Sequence, residues 1–381
     1  MEPNSLRRVM ADCTDRRLVG IGEKVIAGER LSFEDGVALY DSGDLLRIGK
    51  IANYVREKKN GNLGHYIVNR YLNPTNVCWV DCQLCAWARK IGEEGGYTLS
   101  IEQAVKEAGD GYDGTVSEIH IVGGLHPTLP FSYYTDLLRA LKRAFPGIHL
   151  KAFTMVEIDW FSRLAKKSLA ETITILKEAG MDSCTGGGAE IFAQRAHDLV
   201  ARNKMPADRW LAVAREVHRQ SIRTNATMLY GHVETPAERI DHLLRLRALQ
   251  DETGGFQCIV PLSFHPENTY LRDVRPATGR LDLATIAVSR LMLDNFDHVK
   301  AYWIQLGPKI AQTALAFGAD DVGGTYVDEE ITHAAGAETA TGMTHDEIET
   351  LIRGAGRDPV RSDTYYRPVA PLVAEIAGAG V

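Results

Sequence analysis

From residue 65 onward, short apolar runs bounded by glycine or proline alternate with amphipathic stretches of helical period. The runs at 66–72, 118–122, 148–153, 181–184, 222–230, 256–264, 298–306 and, weakest, 320–326 have the length and makeup of strands. Between them, 131–145, 168–179, 206–220, 236–250, 282–294 and 308–317 repeat every three to four positions, as Tyr134, Leu137, Leu138 and Leu141 do in the first. Strand and helix in repeated alternation predict an α/β chain with a parallel sheet. Eight such units favour a closed TIM-type (β/α)8 barrel over an open doubly wound sheet, and the weak last strand leaves a partly open barrel of six or seven strands as the alternative.

Outside the repeat, 31–59 predicts a helix with Ser32 as N-cap, Asp35 on its first turn and Leu45, Leu46, Ile48, Ile51 and Tyr54 on its apolar positions. Another helix is expected at 345–353, before a tail that ends Glu375-Ile376-Ala377-Gly378 and beyond. These divide the chain into an N-terminal helical extension (1–60), a barrel (61–326) and a C-terminal extension (327–381).

Composition narrows the partners. With 381 residues, 45% of them hydrophobic, the chain can bury a large core. A net charge of −7 and no basic run give no attraction for phosphate backbones, so no nucleic acid partner is expected. The N-terminus lacks a signal-peptide segment and no run approaches the roughly 18 apolar residues of a membrane span, which points to the cytoplasm.

Six cysteines are present, and Cys78, Cys82 and Cys85 stand together on the loop after the first strand. Cys13, Cys184 and Cys258 are scattered and read as small buried hydrophobes, so the set is no disulfide framework. Three thiolates this close grip one face of a [4Fe–4S] cluster and leave one iron open to an exogenous ligand. Zinc is the alternative, with His65 or His126 as a fourth ligand, although structural zinc usually uses paired C-x-x-C knuckles.

Barrel active sites sit at the C-terminal ends of the strands, where polar and glycine-rich residues recur here. Gly123-Gly124-Leu125-His126 follows the second strand, Glu157 the third, and Gly186-Gly187-Gly188-Ala189-Glu190 the fourth. Glycines let backbone groups approach a ligand, and Glu157 and Glu190 suit ribose hydroxyls or amino groups, against the alternative of plain turns and solvated carboxylates. After the fifth strand comes Leu229-Tyr230-Gly231-His232-Val233-Glu234. After the sixth, His265-Pro266-Glu267-Asn268 offers a general acid or base beside a carboxylate, or merely a histidine capping a loop.

The C-x3-C-x2-C spacing resembles the radical S-adenosylmethionine superfamily, in which the cosubstrate's amino and carboxylate groups chelate the open iron. The resemblance implies that Gly123 and Gly124 hold the methionine amino group, that Leu229 packs on adenine within a pattern reaching Gly231 and Glu234, and that Leu84 lies near that ring. Thr227 stands where the adenine pattern has glycine.

Asn73-Pro74-Thr75-Asn76, His120 to Pro127, Gly186 to Phe192 and Asn225 to His232 are together similar to the aminodeoxyfutalosine synthase family over about residues 30–365. That implies cleavage of S-adenosylmethionine by one electron from a flavodoxin or ferredoxin, and addition of the 5′-deoxyadenosyl radical to the enol ether of 3-[(1-carboxyvinyl)oxy]benzoate. Aryl migration and loss of the carboxylate then give 6-amino-6-deoxyfutalosine, on the way to menaquinone. A dicarboxylate substrate needs cationic or donor partners, for which Arg89, His126, His232 and His265 are candidates, with Gly187, Glu190 and Asn268 lining the pocket. Two departures stand out: Leu84 and Trp87 replace expected phenylalanines, and Cys184-Thr185 precede the triple glycine in place of a proline.

The competing functions are a sister enzyme on the same barrel, either the cyclase acting later in the route or the deazaflavin synthase subunit, and a non-catalytic metal-binding or sensing module. Oligomeric state, a homodimer included, is left open.

Overall fold

The computed structural model describes residues 2–110, 112, 114–326 and 329–369, so the expected tail around Glu375 lies outside the described residues. Among the described residues, nine strands form three parallel sheets. β1 (Leu63–Ile67) and β2 (Asn69–Leu72) are one extended segment interrupted at Val68. β3 is Glu118–Ile121, β4 His149–Ala152, β5 Thr224–Tyr230, β6 Phe256–Ser263, β7 His298–Val299, β8 Asp321–Gly324 and β9 Asp358–Arg361. The sheet orders are β8-β1-β9, β2-β3-β4 and β5-β6-β7, and every pairing within them is parallel, as alternating strand and helix require.

Single parallel bridges link the sheets: Lys151 to Ser183, Cys184 to Thr224, and Lys300 to Asp321. The expected strand at 181–184 is thus reduced to two bridging residues, because the backbone leaves the extended region just beyond them, at Gly186 (φ 77°) and Gly188 (φ 85°). The expected strand 298–306 is likewise short: after Val299 the chain turns into a helical turn, Trp303–Leu306. A brief apolar run satisfies either period, and here the indole N–H of Trp303 is used on Gly324 O.

The expected helix 31–59 is two helices, Phe33–Asp41 and Leu45–Asn60, broken at Ser42-Gly43. Ser32 and Asp35 form the predicted capping box, and Asp44 caps the second helix through Arg47 N. Two helices before them, Pro3–Met10 and Arg16–Ala27, complete an N-terminal layer. This layer packs on helix Gly279–Met292, where Gly36 and Gly49 let backbone approach Ile240, Met292 and Phe317 more closely than a side chain would allow. One main core cluster runs from Leu6 in this layer through the strands to Tyr326.

The C-terminal segment is built into the base of the sheets. β9 pairs with β1 from Leu63 to Tyr66, and the turn after it places Ser362 on His65, Thr364 on Glu118 and Tyr366 on Asp321. The ring of Tyr366 stacks on His298 at 3.5 Å and 6°.

Candidate active site

The three cysteines lie on a loop pinned by two cations. Arg89 turns its guanidinium back to the carbonyls of Ala86, Trp87 and Ala88, and the Lys90 ammonium donates to those of Cys78, Trp79 and Val80. Backbone hydrogen bonds from Cys78 N to Arg89 O and from Gln83 N to Val200 O complete the frame. All three thiols face one cavity of about 350 Å³ at the C-terminal ends of the strands. Burial pushes the Cys82 thiol up to about 12 and raises Cys85 too, so these sulfurs become good ligands only when a metal displaces their protons.

Their spread suits a cluster. Tetrahedral zinc with bonds of about 2.3 Å needs sulfurs roughly 3.8 Å apart. Among the described residues, the one trio of ligand atoms lying within 4.8 Å of one another is His65, His298 and Asp320, at the base of the sheets. The histidines considered for zinc are engaged elsewhere: His65 Nδ1 with Ser362 Oγ at 2.8 Å, and His126 Nδ1 as acceptor for the amides of Thr128 and Leu129.

Gly124 carries the loop's closest contact. A Cβ there would stand 2.3 Å from Val77 O, and Gly124 N donates to Thr75 O at 2.7 Å. Its bareness serves the approach of the cysteine loop's own backbone. Glu157, the N3 residue of the capping box that opens helix Met155–Ala165, accepts from Gly123 N at 2.9 Å and Thr154 N at 2.8 Å. Burial pushes its carboxyl up to about 7, against the pull of those donors. It lines the cavity and fixes the Gly123 turn at once.

Beside the thiols, Glu190 forms a largely buried ion pair with Lys204. Burial works against the Lys204 charge, but Glu190 and the neighbouring Cys82 raise its affinity for the proton overall. Lys204 gave no signal in the sequence, as a single lysine after an amphipathic helix reads as solvated surface. Glu190 holds a left-handed backbone (φ 46°), a strained setting for a non-glycine residue and one that recurs at ligand sites.

The cavity wall also includes Leu84, Gly123, Gly187, Leu229 and His265, all read from the sequence as site residues. His265 Nε2 meets Gln305 O at 3.1 Å. Several expected residues are turned elsewhere. Arg89 is committed to its own loop, and His232 Nε2 meets Leu229 O at 3.1 Å. Glu234 accepts from Gly231 N, His232 N and Arg239 Nε, which shapes the turn after β5 from outside the cavity wall. Asn268 is tied to Ala334 O, and Glu267 packs against Gly336. Cys13, Cys184 and Cys258 are buried in the core as expected, so Cys184 puts no thiol on the cavity wall. At the two positions where phenylalanine was expected, Leu84 and Trp87 both line the cavity, and the Trp87 indole donates to Glu330.

The radical SAM superfamily model matches residues 72–246, and the model of the CofH/MqnC C-terminal region matches 253–372. The chain is 47% identical to an aminodeoxyfutalosine synthase of Thermus thermophilus, over 94% of this chain and 98% of that one. It is 44% identical to that of Streptomyces coelicolor, over 90% and 92%. A cyclic dehypoxanthine futalosine synthase of Halalkalibacterium halodurans is 36% identical over 91% and 94%. Among solved structures, methylornithine synthase superposes with a TM-score of 0.69 at 19% identity, covering 90% of this chain and 97% of that one. The [FeFe]-hydrogenase maturase HydG gives 0.73 at 16%, covering 96% and 80%, and both show the fold alone. Radical SAM enzymes use a [4Fe–4S] cluster and S-adenosylmethionine, the pair for which the spread thiols and the adjoining cavity are arranged. With such identity along nearly its whole length, the chain belongs to the aminodeoxyfutalosine synthase family of the radical SAM superfamily.

Proposed function

We propose that the chain adds the 5′-deoxyadenosyl group of S-adenosylmethionine to 3-[(1-carboxyvinyl)oxy]benzoate and releases 6-amino-6-deoxyfutalosine. The observation that carries this reading is a single cavity lined by the three cysteines, by a largely buried Glu190–Lys204 pair beside them and by the aromatic rings of Tyr71, Tyr302 and Tyr326. The three sheets and their linking bridges run β1/β2, β3, β4, Ser183-Cys184, β5, β6, β7, β8 and back to β1, which we take as one eight-stranded TIM-type barrel. Its 61–326 core is flanked by the 1–60 and 327–381 extensions.

When bound, the cluster supplies the electron that splits S-adenosylmethionine. Cys78, Cys82 and Cys85 hold it, and Lys204 offers the cosubstrate's carboxylate a buried ammonium, with Glu190 beside it for an amino or hydroxyl group. Leu229 gives adenine an apolar face at the end of β5. The wall keeps water from a primary carbon radical while aligning it with the enol ether, the protein's share of such chemistry. The electron donor fits the flavodoxin or ferredoxin class. Among the described residues no helix is long and apolar enough to cross a membrane, and we place the reaction in the cytoplasm.

The test is anaerobic: the protein is reconstituted with iron and sulfide, reduced, supplied with both substrates, and its adenosyl products are identified by mass spectrometry. Aminodeoxyfutalosine is expected. Free 5′-deoxyadenosine without adduct points to the sister substrates, and no cleavage by a loaded, reduced cluster overturns the enzymatic reading.

A further inference from the structure

At the floor of the cavity two lysines stand on two carboxylates. Lys151 Nζ lies 2.7 Å from Glu118 Oε2, and Lys300 Nζ 3.1 Å from Asp321 Oδ2. Both lysines are more than nine-tenths buried and both line the cavity. The carboxylates are already well supplied with donors. Glu118 also takes Thr364 Oγ1 at 2.7 Å and Asn69 Nδ2 at 3.4 Å, and Asp321 takes Tyr366 Oη and Gly323 N, each at 2.6 Å.

The ammonium groups are the opposite case. Each carries three N–H donors. Among the described residues each has one carboxylate oxygen as its partner, which leaves two donors per lysine for the cavity that both lysines line. A buried donor without an acceptor costs free energy, so this floor is complementary to an anion with two acceptor oxygens. Above the lysines, Tyr71, Tyr302 and Tyr326 lie with ring centroids 5.0–5.5 Å apart between neighbours, and Tyr71 meets His120 at 4.6 Å. That is a lining for a flat aromatic ring. An aryl carboxylate entering carboxylate-first would put its carboxylate on the lysines, its ring among the tyrosines and its substituent toward the cysteine loop.

We propose that Lys151 and Lys300 bind the ring carboxylate of the substrate, and that Thr364 and Tyr366 of the C-terminal segment position them through Glu118 and Asp321. This rests on the function proposed above for its choice of ligand. It assigns the far end of the dicarboxylate, since the enol-ether end must face the adenosyl group. It also gives the C-terminal turn a task in recognition: Thr364 and Tyr366 occupy carboxylate lone pairs that the ammonium hydrogens would otherwise fill, and so leave those hydrogens for the ligand.

The experiment measures equilibrium binding to the reconstituted holoenzyme with the cluster oxidised and S-adenosylmethionine present, so that no turnover is needed. The probes are 3-[(1-carboxyvinyl)oxy]benzoate and 2-phenoxyacrylate, which lacks the ring carboxylate. The unaltered protein is expected to prefer the benzoate by about 100-fold, as two charge-assisted hydrogen bonds would give. Lys151→Met and Lys300→Met should each cut that preference by about 10-fold, with phenoxyacrylate affinity changed by less than about threefold. Tyr366→Phe removes one hydroxyl and should lower the preference by about threefold at an unchanged melting temperature, which a purely structural role would not do.

A preference below about threefold in the unaltered protein overturns the proposal without any variant, and so does equal loss of both ligands in folded lysine variants. If a lysine variant does not fold, Tyr366→Phe and the unaltered protein's own ratio still decide. Aminodeoxyfutalosine production without benzoate selectivity sinks this inference and leaves the function standing. Selectivity without that product does the reverse.

Discussion

Cys78, Cys82 and Cys85 are the residues whose chemistry no neighbour can replace. Substituting any one by alanine should reduce bound iron and abolish S-adenosylmethionine cleavage, read by iron assay and by 5′-deoxyadenosine release. Lys204 is subtler, because removing it leaves Glu190 buried and unpaired, which is costly in itself. Lys204→Met should weaken S-adenosylmethionine binding by about 10- to 100-fold and also lower stability. The double variant Lys204→Met with Glu190→Gln should regain stability without regaining that affinity, and recovery of both would show the pair to be only structural. Gly124→Ala brings a methyl to 2.3 Å from Val77 O, so the cysteine loop must shift. A loss of about 1–3 kcal/mol and reduced iron loading are expected in that variant, measured by urea unfolding and iron content. At this scale the sequence disclosed the thiols, because their spacing is local, whereas Arg89, His126 and His232 looked like free donors until their backbone partners came into view.

Among the elements, helix Pro236–Thr253 does more than cover the sheet. Its His242 is wholly buried, stacks on Phe192 at 4.0 Å, accepts from Phe192 N at Nδ1 and donates from Nε2 to Thr227 O. One ring thereby ties the segment after the triple glycine to the middle of β5, where Thr227 lines the cavity. Burial pushes its pKa down to about 3, and that of His218, held between Thr253 and Thr224, down to about 4. Both are neutral in the folded state. As pH falls through about 6.5 the unfolded chain takes up protons that the folded chain refuses, so stability drops between about 6.5 and 3. His242→Gln should flatten that dependence by an amount on the order of 2 kcal/mol across the window, read from urea midpoints at a series of pH values, and an unchanged slope would refute the assignment. Helix starts were legible near the capping boxes at Ser32 and Thr235, but the boxes at Ser100 and Thr154 open two helices, Ile101–Gly109 and Met155–Ala165, that the periodicity did not disclose. The run 298–306 was not legible either, because a strand and a helical turn share the same apolar residues over so short a stretch.

Across the whole molecule, the C-terminal segment closes the base of the sheets, where Arg357 also reaches Asn53 and Glu57 of the N-terminal helix Leu45–Asn60. Arg56 donates to Ala319 O and Gly61 O, while Arg290 holds Asp320, which also meets His298 Nδ1 at 2.6 Å. A chain ended after Arg357 would lose β9 and the hydroxyls of Thr364 and Tyr366. It should melt at lower temperature and lose benzoate binding, and a truncated protein with unaltered melting and binding would contradict the role given to this segment. The amino-acid sequence by itself determined the alternation of strand and helix, the cysteine loop at the end of the first strand and the glycine-rich turns beyond, since each is written in neighbouring residues. Only the tertiary structure decided which cations face the cavity. Lys151, Lys204 and Lys300 come from distant elements, and each meets a carboxylate that the chain brings to it from elsewhere. Such pairing is a property of packing, because an isolated lysine in a sequence carries no mark of the acid it will meet.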